Sequence, residues 1–245
     1  MRSGQRRQPG PHGHAAAGRR HPAARAAVLC LLVLLGLLLA APLVSPARAG
    51  VKQDLRAGFL NMRLGHCRQA VRLITQAIES GYLERMELIS ALQGRSRCYR
   101  HLRWFKKAVK DLERALRLAR GHVSRAQLGQ IRLDLGMVYY RWGHYDQAIR
   151  EFNRSLRLNP SNPRTFFYRG NAWRLKHDFP RALKDYNRAL ALEHHHRYYY
   201  QRSQVLVRMG RIDEAIADMK TALRLRPNYQ SYRRRLGYLE SLKKK

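Results

Sequence analysis

An alanine followed by a second apolar residue recurs along this chain at a nearly fixed spacing, and the same residue types return around each copy. Between Leu135 and Pro160 the order is Leu135-Gly136, Tyr139, Gly143, Tyr145, Ala148-Ile149, Phe152, Ser155-Leu156, Leu158 and Asn159-Pro160. Thirty-four residues later come Gly170, Trp173, Phe179, Ala182-Leu183, Tyr186 and Ala189-Leu190. Thirty-three residues beyond those come Gly210, Ala215-Ile216, Met219, Ala222-Leu223 and Pro227. A period of this length marks one supersecondary unit that cannot bury its own apolar face and so stacks on copies of itself.

Within a unit, Tyr145, Ala148, Ile149, Phe152 and Leu156 step by three and four, the spacing of an amphipathic helix. Leu135 and Met137–Tyr140 form the helix before it. Gly143 breaks the pair, and Asn159-Pro160 stops the second helix. With Gly136 set at position 8, the position-20 alanines are Ala70, Ala108, Ala148, Ala182 and Ala215, at intervals of 38, 40, 34 and 33 residues. The two long intervals predict longer helices or extra turns near Gly81-Tyr82 and Gly121–Ser124. The first unit keeps Gly65, Ala70 and Ala77-Ile78 but reads as lacking the position-8 glycine, and Ser96 replaces it in the second. The expected boundaries are 50–88, 89–128, 129–162, 163–195 and 196–229. A capping helix (Ser231–Leu242) and a disordered basic tail (Lys243–Lys245) fill 230–245.

The pattern from Leu135 to Pro160 resembles the tetratricopeptide repeat. That resemblance implies an all-α, right-handed superhelical solenoid of about five helical hairpins plus a capping helix. It also implies a concave groove, lined by the first helix of each hairpin, that holds peptides or partner proteins. The groove positions of the family map here onto Arg97, Arg100 and His101; Met137, Tyr140 and Arg141; Arg164, Phe167, Tyr168, Asn171 and Arg174; Arg197, Tyr200, Gln201, Gln204 and Arg208; and Arg234 and Arg235 of the cap. Asp134 is the one acid among them. Arginine forks bind carboxylates in pairs of hydrogen bonds, and aromatic rings add rigid contact area. Asn171 matches the asparagine that grips a ligand backbone in several members. The carboxylate clamp of chaperone-binding members is not matched, because Met137 and Gln204 stand at the equivalent position.

Composition separates the first 49 residues from the rest. They hold seven arginines and no acid, then an apolar run from Ala26 to Ala41, then Ala47-Arg48-Ala49. This order is that of a secretory signal with a cut after Ala49. A retained anchor is the alternative, although sixteen apolar residues span only about 24 Å as a helix. In both cases the repeats are expected outside the cytoplasm, periplasmic or secreted. Beyond the cut, 42 lysines and arginines face all 16 acids. Such a charge favours an acidic protein segment or an anionic envelope polymer as partner. Non-specific binding to nucleic acid or an anionic membrane, driven by charge alone, is the competing reading.

No phosphate loop, nucleophile elbow or paired-cysteine metal motif occurs, so neither enzyme activity nor a cofactor is expected. Asp146, Asp178, Asp213 and Glu214 stand where second helices begin, which suits the helix dipole. The run His194-His195-His196 raises metal binding, but neighbouring loop residues seldom aim three rings at one ion, and a solvated connector is the reading adopted. Cys67 and Cys98 survive the expected cut. Their places in adjacent units bring them near each other, as a disulfide or as two buried thiols.

Overall fold

The computed structural model describes residues 46–243, and the predicted basic and apolar segments of the leader lie outside them. Eleven helices and no strand occur among the described residues: α1 (Pro46–Arg63), α2 (Cys67–Glu79), α3 (Arg85–His101), α4 (Phe105–Ala119), α5 (Arg125–Trp142), α6 (Tyr145–Leu158), α7 (Pro163–Leu175), α8 (Phe179–Leu192), α9 (His196–Arg208), α10 (Ile212–Leu225) and α11 (Gln230–Lys243).

The α5–α6 pair shows how one unit forms. The Ser124 side chain accepts from Gln127 N–H while the Gln127 side chain returns to the Ser124 N–H, which starts α5 with a capping box. Gly143, at φ +93°, ends it in the left-handed region. That turn lets α6 fold straight back on α5, and Phe152 and Ala148 are fully buried between them. The same logic repeats. Ala70, Ala108, Ala148, Ala182 and Ala215 are all sealed from solvent, as are the larger residues four further on, Ile74, Leu112, Phe152, Tyr186 and Met219. The long intervals arise from first helices of 17 and 18 residues in the second and third units, against 13 in each of the last two, and from the longer linkers before α3 and α5.

Each helix packs on its hairpin partner and then on the next hairpin. The first helices α1, α3, α5, α7 and α9 also touch one another in order, while the second helices have no matching series of contacts. The stack therefore curves with the first helices on its inner side.

Two expectations are corrected. The first unit does have its position-8 glycine. A Cβ on Gly58 would sit 2.6 Å from the Ile74 side chain, as one on Gly136 would sit 2.5 Å from Phe152. The degenerate residues around Gly58 hide it in the sequence. Lys243 is not part of a disordered tail: it lies in α11 and pairs with Asp213 at 2.6 Å, while Lys244 and Lys245 lie outside the described residues. In addition, the expected cut after Ala49 falls inside α1.

A set of arginine struts joins successive units. Arg95, Arg169 and Arg202 each grip an aspartate sixteen residues on, Asp111, Asp185 and Asp218, through two bonds of 2.6–2.8 Å. The remaining nitrogen of each fork reaches back to the preceding unit, to Thr75, Asn153 and Asn187. The third unit, with Leu135 in place of the arginine, uses Arg132 and Glu151 instead.

Candidate ligand-binding face

The inner side of the stack carries two neighbouring hollows. The first has a volume of about 290 Å³ and draws its lining from α3, α5, α7 and α9: Arg100, His101, Met137, Tyr140, Arg141, Phe167, Tyr168, Asn171, Arg197 and Gln201. The second, of about 720 Å³, lies further along the stack and is lined by Arg174, Leu175, His177, Phe179, Tyr200, Gln204, Val207, Arg208, Arg235 and Tyr238. Fifteen of the eighteen residues mapped to the groove line one or the other. The periodicity that buries position 20 places positions 5, 6, 9, 12 and 13 on this side.

Arg97, Arg164 and the exposed Arg234 of the cap line neither hollow. Arg97 is turned to Asp134, which is buried and also receives the amides of Gln93 and Gln130. The one acid of the inner face is thereby largely consumed. Arg164 is exposed in the first turn of α7, where Asn162 caps the helix. Phe167 is mainly a core residue, 4.7 Å from Tyr198 between ring centres, and offers the hollow only an edge.

The polar groups of the first hollow are unevenly satisfied. Asn171 accepts from the Tyr186 hydroxyl at 2.7 Å, which fixes the amide and leaves its NH₂ to face the hollow. Gln201 Oε1 is shut off from water and has no donor. Burial pushes the pKa of Arg100 down, only partly offset by Asp134, with Arg97 and Arg141 adding like charge. A guanidinium so placed gains from an incoming anion. Burial raises Tyr140, against the pull of Arg174, so its phenol stays a neutral donor. Tyr140 and Tyr168 meet edge-on at 6.3 Å, giving the hollow a rigid aromatic wall.

The three histidines face separate partners: Nδ1 of His194 meets the Tyr199 hydroxyl at 2.6 Å, that of His195 accepts from Arg197 N–H, and that of His196 meets the Tyr232 hydroxyl at 2.8 Å. They do not converge as a metal site, and no group of three such ligands occurs among the described residues. Cys67 and Cys98 are side by side, as expected, but as free buried thiols and not as a disulfide. Burial first, and then the neighbouring Cys67, push the Cys98 thiol up to about 12, which leaves it almost wholly protonated at neutral pH. The acids at the starts of second helices serve there: Asp178 caps α8, and Asp146 and Glu214 take Lys176 and Arg211. The second hollow was legible only in part from the sequence, because His177 belongs to a hairpin turn, Phe179 to the start of α8 and Tyr238 to the cap.

Among known proteins, the chain is similar over 109 residues to human tetratricopeptide repeat protein 13, at 35% identity, covering 42% of this chain and 13% of that one. It is 29% identical over 91 residues to rat serine/threonine-protein phosphatase 5, covering 37% of this chain and 18% of that one. The chain thus spans less than a fifth of either relative. Among solved structures, TTC0263, a thermophilic TPR protein of Thermus thermophilus, superposes with a TM-score of 0.61 at 23% identity, covering 77% of this chain and 98% of that one. YrrB, described as a TPR protein with an unusual peptide-binding site, gives 0.54 at 16% identity, covering 77% and 96%. Models of the tetratricopeptide repeat match residues 87–161, 133–193 and 196–229. These segments make up more than half of the chain, and they coincide with the stacked hairpins, so the protein belongs to the tetratricopeptide-repeat family, whose members act as protein-binding scaffolds.

Proposed function

We propose that the inner face holds an extended, acidic segment of a partner protein, without catalysis. The observation that carries this reading is the pairing of groups in the first hollow. The Asn171 NH₂ is left free to donate, and the Gln201 amide, whose Oε1 has no donor, could turn to accept, a combination that suits the C=O and N–H of a peptide backbone. Arg100, Arg141 and Arg197 surround them and suit acidic side chains. The solved relative YrrB, whose description names a peptide-binding site, is consistent with a peptide on this architecture.

The test compares charge reversals on two faces. Arg141→Glu with Arg197→Glu should weaken an acidic peptide by about 30-fold or more, since two charge-assisted contacts are lost. Arg157→Glu with Arg188→Glu, on exposed second-helix positions, should cost less than about threefold at physiological salt. Equal losses in a titration calorimeter would mean diffuse attraction and would favour the non-specific polyanion reading, which rests on net charge alone.

Export is part of the same proposal. It is supported by the seven arginines, the apolar run and the Ala47-Arg48-Ala49 site. A cut after Ala49 would shorten α1 by its first four residues and remove Arg48, the partner of Glu84. Intact mass of the protein recovered outside the cytoplasm should show an N-terminus at Gly50. A product retaining the arginines would establish an anchor instead.

A further inference from the structure

The second hollow differs from the first in kind. Three arginines from three helices line it: Arg174 of α7, Arg208 of α9 and Arg235 of α11. No acid lines it, and no ion pair among the described residues includes any of the three. The half-buried arginines Arg95, Arg169 and Arg202, by contrast, spend their forks on aspartates of the neighbouring helix.

Two observations support a ligand site here beyond a merely basic surface. The Nε of Arg174 and the Nε of Arg235 are both closed off from solvent and both lack an acceptor. A shielded donor without a partner is costly, so each of these half-buried guanidinium groups would gain from an acceptor that its fork could turn to meet. In addition, the forks are held in place. The Tyr238 ring lies 5.3 Å from the Arg235 guanidinium carbon, and Arg174 sits beside Tyr140 and Tyr186, whose phenols it acts on. Tyr200 and Gln204 supply neutral hydrogen-bonding groups between the arginines.

A single carboxylate has two oxygens and fills one fork. Three guanidinium groups on three helices suit a tetrahedral dianion with three free oxygens, and its double charge balances more of theirs. We propose that the hollow formed by Arg174, Arg208 and Arg235 is a binding pocket for a phosphate monoester, carried on the partner segment held by the first hollow. This rests on the peptide-binding reading for the carrier but not for the pocket itself. The two hollows adjoin, because Asn171 and Arg174 are three residues apart on α7, a rise of about 4.5 Å. A phosphorylated side chain one or two residues beyond the gripped amide would therefore enter the second hollow. The cap helix, whose place in a solenoid is to cover the end of the stack, here also supplies a ligand-binding arginine.

The test uses O-phosphoserine, inorganic phosphate and acetate as probes, with tyrosine fluorescence and calorimetry as readouts on the whole protein in chloride. O-phosphoserine should bind saturably and at least about tenfold more tightly than acetate. Arg235→Gln and Arg174→Gln should each abolish that preference, whereas Arg157→Gln should leave it unchanged. Arg235→Lys keeps the charge but not the fork and should fail to restore it. Helical circular dichroism confirms that each variant is folded, and Arg208→Gln, at an exposed position, serves as the mutant least able to disturb the core. Equal binding of acetate and phosphate, or full rescue by lysine, would overturn the pocket. The carrier is tested separately. An acidic peptide with one phosphoserine should outbind both its unphosphorylated form and free phosphate, and Arg141→Glu with Arg197→Glu should weaken the peptide while sparing free O-phosphoserine. If inorganic phosphate binds as tightly as the phosphopeptide, the pocket stands and the segment as its carrier falls.

Discussion

Phe152 is fully buried, and its ring lies against the α-carbon of Gly136 so closely that a Cβ there would stand 2.5 and 2.6 Å from two ring atoms. The glycine is required by its neighbour and not by its backbone angles. Ser96 and Ser203 hold the same position in units whose partner residue is Leu112 or Met219, both more yielding than a ring. Gly136→Ala should therefore cost about 2 kcal/mol in urea unfolding. Adding Phe152→Leu should make the double mutant cost less than the sum of the two single changes. Additive losses would show that the close approach is not what the glycine serves. This small–large coupling was legible in the third and fourth units from Gly136 and Gly170. It was not legible at Gly58, where the surrounding pattern has decayed and only the contact with Ile74 shows the match. The turn residues carry a second hidden rule. Gly65, Gly143 and Gly210 have φ between +76° and +93°, and Arg103 and His177 take the same left-handed geometry without being glycine. The structure demands that geometry at every hairpin turn, at about 1–2 kcal/mol for a residue with a Cβ, so residue type alone could not mark all five.

Helices in this stack are joined by more than apolar contact. Arg169 ties α7 to α8 through Asp185 and reaches α6 through Asn153. Asp185 is buried, which raises its pKa, and the Arg169 bonds and charge pull it back down. Arg169→Leu removes the opposing pull and leaves a carboxylate shut in without a partner. We expect a loss of about 2–3 kcal/mol near neutral pH, at or below the low end for a broken buried pair because the arginine is partly exposed. The sign with pH follows from the raised value. The folded state of the variant prefers the protonated acid, so its relative stability is greatest in acid and falls as pH rises through the folded pKa. The penalty measured at pH 8 should thus exceed that at pH 5, and Arg169→Leu with Asp185→Leu should recover most of it. A penalty that grows toward acid would sink the account. The sequence carried a signal for these struts, since 95 to 111, 169 to 185 and 202 to 218 all pair arginine with aspartate at a spacing of sixteen. It was invisible to a search for helical periods, because the partners lie on two antiparallel helices and the spacing has meaning only once the hairpin is known. The candidate groove was far more legible, since the phase of the repeat fixed where the groove positions implied by the family resemblance fall. The division into two hollows was not, because it depends on which side chains are already bonded.

For the whole molecule, charge opposes the fold and, on the proposed reading, serves binding. Twelve of the 16 acids are in ion pairs, which leaves the large excess of lysine and arginine without partners and repelling one another. The buried struts act at 2.6–2.8 Å and are poorly screened, whereas the repulsion acts over the exposed surface, where the Debye length shrinks from about 20 Å at 20 mM salt to about 6 Å at 300 mM. Sodium chloride should therefore relieve repulsion more than it weakens the struts, and the thermal midpoint should rise across that range. Binding should move the other way. An acidic peptide on the inner face is attracted by the same exposed charge, and its affinity should fall by about tenfold or more over the same interval, mostly through slower association. The two slopes, taken on one preparation, separate the roles. Opposite signs fit a scaffold whose short-range bonds hold it together against a charge kept for its partner. A midpoint that falls with salt in step with affinity would mean that surface ion pairs hold the stack together, and the unpaired arginines of its inner face would lose their claim to be reserved for a ligand.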